Sequence, residues 1–198
     1  MTSARDALLA RCVAWFADHG VGDTSLRALA DGVGTSHRML IYHFGSREGL
    51  LAAVVEAVEQ GEREVLAALL ADTDDAYAAG QQFWTHVADA ATTFAPLFFE
   101  LSGQAMQGKP WAARLREWLG TGWSEALTDL WVRVGHPQAQ AQDLALLNLA
   151  TVRGLLFQLA VTGDRTAADR GVALLADTFA RLPHPGGGIS VGGGPAEG

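Results

Sequence analysis

The sequence predicts an all-α protein with a three-helix head followed by a six-helix body. Apolar residues recur at spacings of three, four and seven through most of the chain, which is typical of helices that bury one face. Glycine and proline stand mainly between these segments, where they end helices. We expect the head at residues 1–46, the body at 47–182, and a disordered tail, rich in glycine and proline, at 183–198.

The head follows from its helix starts and turns. Residues 3–19 carry apolar side chains at helical spacing and form the first predicted helix. The stretch at residues 25–51 then holds three helix starts and two tight turns. A second helix ends at a turn with Gly34, a third occupies residues 37–43, and Ser46 is expected to cap the fourth. This density of short helices is typical of a helix-turn-helix.

The third helix is only two turns long, so its neighbours must hold it in place. Leu40 and Phe44 are the expected anchors into the small core. The rest of its surface carries histidine, arginine, methionine and tyrosine, which have no obvious role in a core. A short helix clamped in this way, with its polar face turned outward, has the geometry of a recognition helix that enters the major groove of DNA.

The same stretch resembles the DNA-binding domain of the TetR family of bacterial transcriptional regulators over roughly residues 5–55. One position departs from the family pattern. The family has tyrosine directly after the leucine of the third helix, whereas this chain has Ile41 there and Tyr42 next. That step turns the ring by about 100° around the helix, so the family's phosphate contact is not assigned to Tyr42. The matching features are Leu26-Arg27-x-Leu29-Ala30, Gly34, Leu40-x-x-His43-Phe44 and Ser46-Arg47-Glu48-x-Leu50-Leu51.

This resemblance implies a homodimeric repressor that binds a palindromic double-stranded operator and is released from it by a small apolar or aromatic effector. Arg38 is the candidate for reading guanine through two hydrogen bonds, and His43 and Arg47 are candidates for holding phosphates. By resemblance and helical phase, the DNA-facing set is Arg27, Thr35, Ser36, His37, Arg38, Met39, Tyr42, His43 and Arg47.

The body is expected to contain a long fourth helix over about residues 46–70, which leaves the head, and five further helices. The fifth stops before Pro96, because proline disfavours helix in the residue before it. Between residues 111 and 134 the apolar stripes are interrupted by Gly120 and Gly122, which leaves either one kinked helix or two helices with a short joint. We favour one kinked helix. The last two helices are predicted at residues 138–162 and 166–182.

An effector pocket is predicted among the fifth, sixth and seventh helices, where five of the six tryptophans lie between positions 84 and 131. His86 is a candidate hydrogen-bond donor to a ligand, although a histidine bonded to a neighbouring group in the core is the favoured alternative. Plain core is likewise the alternative for each aromatic side chain. The candidate pocket residues are Phe83, Trp84, His86, Val87, Phe94, Phe98, Glu100, Leu101, Gln104, Trp111, Trp118 and Trp123.

The helix at residues 138–162 is apolar around most of its circumference and therefore needs two buried faces. We expect a second copy of the chain to cover one of them, so that the last two helices of each copy form a four-helix bundle, as in the family. The candidate dimer residues are Leu146, Leu149, Arg153, Phe157, Val172, Leu175 and Phe179.

Charge and motifs limit the other function classes. Residues 1–50 carry five basic and five acidic side chains, so the formal charge of −8 comes entirely from residues 51–198. The chain has no nucleotide-binding or hydrolase motif and a single cysteine, so we expect no catalysis, cofactor or metal site. No N-terminal signal peptide is evident, and we expect a cytoplasmic protein. The rival hypothesis is a helical ligand-binding or scaffold dimer that has lost DNA binding, consistent with the neutral head and the displaced tyrosine.

Overall fold

The computed structural model describes residues 3–20 and 24–182, apart from the side-chain surroundings at positions 114, 118 and 120. These residues form helices and no strand, which confirms the all-α class. The predicted tail at 183–198 lies outside the described residues. The ten α-helices are α1 (Ala4–His19), α2 (Leu26–Gly32), α3 (His37–Phe44), α4 (Arg47–Asp72), α5 (Ala76–Asp89), α6 (Ala91–Met106), α7 (Ala113–Thr121), α8 (Ser124–Val134), α9 (Gln138–Thr162) and α10 (Arg165–Ala180), with a 3-10 turn at Pro110–Ala112.

Serine side chains start all four N-terminal helices. The hydroxyls of Ser3, Ser25, Ser36 and Ser46 each accept a hydrogen bond from the backbone N–H three residues later, at 3.0 to 3.2 Å. Each bond satisfies one of the N–H groups that a helix leaves without an internal partner. The head is therefore divided into helices by residues that act locally, which is why its boundaries follow from the sequence.

The core of the head is continuous with the part of the body that lies beneath it. Cys12 and Leu40 are almost fully buried there, together with residues from the first two turns of α4. Burial raises the pKa of the Cys12 thiol to about 11, so this side chain acts as a small uncharged apolar group. The same cluster takes in Phe98 and Leu101 of α6. The head therefore rests on α6 as well as on α4.

Two predicted boundaries in the body are wrong. The sequence predicts a fifth helix that stops just before Pro96, but α5 ends at Asp89 and Pro96 lies inside α6. Pro96 is exposed, while Ala95 and Phe98 on either side of it continue the buried face of α6. The burial of this face outweighs the one backbone hydrogen bond that a proline removes.

The second correction concerns residues 111–134, which form two helices, α7 and α8, rather than one kinked helix. Trp123 lies in the joint between them, and its indole N–H donates to Glu59 Oε2 of α4 at 2.5 Å. This bond and the burial of Trp123 hold the joint between α7 and α8 against α4. The body from α4 to α10 therefore has seven helices instead of six.

Candidate functional site

Helix α3 is held at both ends by tight turns. Gly34 and Gly45 precede and follow it with φ of +67° and +78°, a region where a side chain would be strained. The backbone N–H of Thr35 also donates to the carbonyl of Ala30 at 2.9 Å, which ties the start of α3 to the end of α2. Leu40, only 1% exposed, and Phe44 anchor the inner side of α3 in the core.

The outer side of α3 carries the predicted DNA-facing residues. His37, Arg38 and Met39 are exposed, and Tyr42, at 77% exposure, stands out from the surface. Arg38 and Tyr42 are one turn apart and therefore lie on the same face of the helix. This face of α3 presents a guanidinium, a phenol and imidazole groups, and the core holds the backbone behind them in place.

The other predicted DNA-facing residues are more constrained. The Ser36 hydroxyl caps α3, and Thr35 and His43 are half-buried, whereas Arg27 is exposed on α2. Arg47 is half-buried, and its Nε donates to the carbonyl of Thr24 at 3.4 Å. This bond links the start of α4 to the segment before α2, a structural role that the sequence did not indicate.

The position that departs from the family pattern also has a clear geometry. Ile41 is half-buried, while the Tyr42 ring is exposed and packs edge-on against His43, with ring centroids 5.0 Å apart. The phenol is therefore available to a partner, one residue further along the helix than in the family.

The body contains a cavity of about 160 Å³, open on one side, between α4, α5, α8, α9 and α10. Apolar side chains form most of its wall, and polar ones enter from α4 (Glu59 and Glu62) and α9 (Asn148 and Arg153). The aromatic residues of the wall are Tyr77, Phe83, Trp84, Trp123, Trp131 and Phe179.

Charged side chains from two helices meet at the cavity. Burial raises the pKa of the Glu59 carboxyl, and the hydrogen bond from Trp123 and the charges of Arg153 and Arg63 offset this only in part. Burial also lowers the pKa of Arg153, an effect that the charge of Glu59 opposes. Arg153 Nη1 donates to the carbonyl of Leu119 at 3.1 Å, and its guanidinium lies over the Phe98 ring.

A second charged contact joins α4 to α5. His86 Nε2 lies 3.1 Å from Glu62 Oε2, and the imidazole is about half exposed. Burial raises the pKa of Glu62, and the neighbouring His86 opposes this shift. His86 is thus engaged with a neighbouring side chain and does not line the cavity.

The structure brings four of the predicted pocket residues to this cavity: Phe83, Trp84, Val87 and Trp123. Phe98 and Leu101 are instead buried in the core under the head, and Phe94 and Trp111 pack against that core. Glu100 is exposed, Gln104 is half-buried on α6, and the side chain of Trp118 lies outside the described part of the chain.

The sequence did not indicate several residues of the cavity wall. Glu59, Glu62 and Leu66 follow the spacing i, i+3 and i+7 along one face of α4, a pattern that was available in the sequence. Arg153 was a second available signal, because an arginine inside a long apolar helix needs a polar environment. Tyr77 and Trp131 also belong to the wall.

The predicted dimer residues divide into two groups. Leu146 and Phe157 are exposed on α9, at 70% and 45%. The others already pack within the subunit: Val172 and Phe179 are buried there, and Leu149, Arg153 and Leu175 line the cavity. The exposed apolar surface further includes Leu147, Val161 and Leu174.

Helix α9 also has the length and mean hydropathy, 1.7, of a membrane span, the one such helix in the described ranges. Only 17% of its most apolar stretch of 18 residues is buried within the chain. The hydropathy of α9 and its exposed leucines thus describe one feature, an apolar helix that is only partly covered.

These features define a two-part helix-turn-helix protein, in which a long helix joins an N-terminal head to a helical body with an internal cavity. Residues 8–54 match the family model described as bacterial regulatory proteins, tetR family. This match covers the head and the start of α4, so the head has the DNA-binding domain of the TetR family.

A curated relative is the HTH-type transcriptional regulatory protein RaaS of Mycobacterium tuberculosis, which is 32% identical over 137 residues. That alignment covers 66% of this chain and 61% of RaaS, which is less than two thirds of the relative's length.

Solved structures of low sequence identity share the fold. A transcriptional regulator from Rhodococcus sp. Rha1 has a TM-score of 0.66 at 18% identity, over 91% of this chain and all of that one. Thermus thermophilus FadR, a TetR-family transcriptional repressor solved in complex with lauroyl-CoA, has a TM-score of 0.64 at 13% identity, over 98% of this chain and 99% of that one. The likeness extends over the body as well as the head.

Proposed function

We propose that the protein is a DNA-binding transcriptional regulator, a cytoplasmic repressor that leaves a palindromic operator when a small effector enters the body. The observation that carries this proposal is the outer face of α3, where Arg38 and Tyr42 are exposed while Leu40 and Phe44 fix the opposite side in the core. A rigid helix with polar groups on its outer face suits the width of the major groove.

Affinity for DNA must come from a few placed groups, since the head has no net charge and the body is acidic. Arg38 is the candidate for a bidentate contact with guanine, and the other polar groups of α2 and α3 supply phosphate contacts. A single head without net charge attracts the DNA phosphates only weakly. We therefore expect binding to require two heads on one duplex and to weaken as salt increases.

A second copy of the chain is the proposed partner for the exposed apolar surface of α9 and α10. Leu146, Leu147, Phe157, Val161 and Leu174 would be covered if α9 and α10 packed against their symmetry mates as a four-helix bundle. The two heads would then dock half-sites about 34–36 Å apart, or a multiple of this distance.

Helix α4 is the proposed link between effector and DNA. It carries Arg47 beside the head and Glu59 and Glu62 at the cavity. An effector that binds better to one position of α4 shifts the population toward that position, and the affinity lost for DNA equals the difference in effector affinity between the two states.

The test begins with selection of bound sequences from a random duplex library with the wild-type protein, followed by anisotropy titrations. We expect Arg38→Ala to lose about 1–3 kcal/mol of binding free energy on the selected site. Arg116→Ala, which removes an exposed arginine from α7, serves as the control. Unchanged binding by Arg38→Ala would remove the assignment of α3 as the recognition helix.

The rival function, a helical ligand-binding or scaffold dimer without DNA binding, is favoured by the neutral head and by Ile41 at the family's tyrosine position. It predicts that the selection enriches no sequence. Phe157→Asp tests the dimer separately, because a charge on the exposed face of α9 should yield monomers in sedimentation and weaken operator binding. A dimer that survives this change would place the interface elsewhere.

A further inference from the structure

Four buried polar atoms on residues of the cavity wall have no hydrogen bond among the described residues. One of them, Glu62 Oε2, lies 3.1 Å from His86 Nε2 and has that ion pair instead. The other three are the Tyr77 hydroxyl, Trp131 Nε1 and Arg153 Nη2. A buried polar group without a partner costs roughly 1–3 kcal/mol, and proteins rarely leave several together. Because these three residues line the same cavity, we infer that an occupant of the cavity supplies the missing bonds.

All three groups can donate, and two of them can only donate. The indole N–H and the guanidinium have no acceptor site, and burial raises the pKa of Tyr77, so its hydroxyl stays protonated and able to donate. Tyr77 and Trp131 are also neighbours, with ring centroids 6.1 Å apart. The occupant must therefore present hydrogen-bond acceptors, for which carbonyl oxygen is the simplest group.

The charges around the cavity favour an occupant without net charge. Glu59 already accepts the indole N–H of Trp123, and Glu62 faces His86. A carboxylate ligand would share the low-dielectric space with these two acidic side chains, and a cationic ligand would share it with Arg153. A neutral carbonyl avoids both repulsions and still satisfies the donors.

Size and wall composition restrict the rest of the molecule. The volume of about 160 Å³ is close to that of an engineered protein cavity of about 150 Å³ that binds benzene. Six aromatic side chains line the space, and aromatic rings pack well against one another in edge-on or offset arrangements. The dimensions therefore suit one ring with a short substituent.

We propose that the effector is a neutral, single-ring compound with a carbonyl oxygen, which accepts hydrogen bonds from Arg153, Tyr77 or Trp131. This inference rests on the proposed function, because it names the chemical class of the ligand for the same cavity. It also gives a reason for the coupling, because the ring would lie against α4, where Glu59 and Glu62 belong to the wall.

Four probes of nearly equal shape test the proposal: acetophenone, α-methylstyrene, benzoate and benzamidinium. They place a carbonyl, an apolar vinylidene group, an anion and a cation on the same ring. Binding is measured by calorimetry on the full chain without DNA. We expect acetophenone to bind roughly tenfold more tightly than α-methylstyrene, the gain from one or two hydrogen bonds, and more tightly than either charged probe.

The donors are tested with Tyr77→Phe, which removes one hydroxyl and keeps the ring. Its affinity for acetophenone should fall roughly fivefold, with the affinity for α-methylstyrene unchanged. Thr85→Val, which removes an exposed hydroxyl from the same helix, is the control and should change neither affinity. Near-ultraviolet circular dichroism verifies that both variants keep native packing.

Several outcomes would overturn the proposal: no binding of any probe, α-methylstyrene binding as tightly as acetophenone, a charged probe binding most tightly, or an unchanged preference in Tyr77→Phe. These measurements contain no DNA, so they are independent of the library selection. A chain that binds acetophenone and selects no DNA would retain this ligand class while refuting the regulator. The reverse result would retain the regulator and refute the ligand class.

Discussion

The head and the body are both built from helices, but the head has a closed core and the body contains a cavity. In the head, Leu29, Leu40 and Leu50 are at most 1% exposed, and the polar groups of α3 point outward. In the body, aromatic side chains surround a cavity, and three residues of its wall carry buried donors without a hydrogen bond. A surface that binds DNA must be rigid, which favours a closed core, whereas a site for a small molecule requires space that the protein leaves unfilled.

The two regions also differ in where they keep their charges. Arg38 and the other arginines of the head lie at or near its surface, whereas the body holds Glu59 and Arg153 against the cavity wall. Burial shifts the pKa of both body residues, and it is opposed by the attraction between them, by the charge of Arg63 and by the hydrogen bond from Trp123. The head therefore gains its stability from packing, while the burial of charged groups lowers the stability of the body.

The largest expected effect compares one leucine from each region. Leu40→Ala should cost the upper part of the range of about 2–5 kcal/mol found for such changes, because close neighbours surround this side chain on all sides. Leu130→Ala should cost the lower part of that range, because Leu130 borders the cavity and already lacks neighbours on one side. Urea denaturation measures both. Equal losses would show that the body is packed as tightly as the head.

Alanine substitutions at two glycines of α4 should have smaller effects on stability, with opposite signs. A Cβ on Gly49 would lie 2.2 Å from the carbonyl oxygen of Phe44, where α3 passes close to α4, so Gly49→Ala should destabilise the protein by roughly 1–3 kcal/mol. A Cβ on Gly61 would meet nothing within 4 Å, and Gly61→Ala should stabilise α4 by about 1 kcal/mol. Thermal unfolding distinguishes them. A stabilising Gly49→Ala would mean that the contact between α3 and α4 is loose.

The difference between the head and the body also determines which parts of the structure can be predicted from the sequence. Serine caps and the anchors Leu40 and Phe44 act within a few residues, so the helices of the head follow from spacing alone. In the body, helical phase identifies the apolar side chains but not what lies opposite them. Phe98 and Trp131 both lie on the apolar face of a helix. Phe98 packs under the head and Trp131 borders the cavity, because the way in which the helices cross determines what each face meets. The joint at Trp123 likewise depends on a contact with α4, 64 residues earlier.

The smallest expected effect is a dependence of stability on pH that arises from Glu59 in the body. Because burial raises the pKa of Glu59 above its ordinary value of 4.5, the folded chain holds this proton to a higher pH than the unfolded chain does. Where the native state binds more protons, stability increases as pH falls, so the wild type should gain stability relative to Glu59→Gln as pH falls from about 8 toward 4.5. Urea titrations across this range measure the difference.

The matched control is Glu64→Gln, which removes an exposed carboxylate one turn further along α4. Its stability relative to the wild type should change little over the same range, because this side chain lies on the exposed surface of α4. Trp123, Arg153 and Arg63 favour the charged form of Glu59, so the observed slope reports the balance between burial and these partners. The opposite result would be a wild type that loses stability relative to Glu59→Gln as pH falls. It would show that the partners outweigh burial and that the charged form of Glu59 stabilises the folded chain.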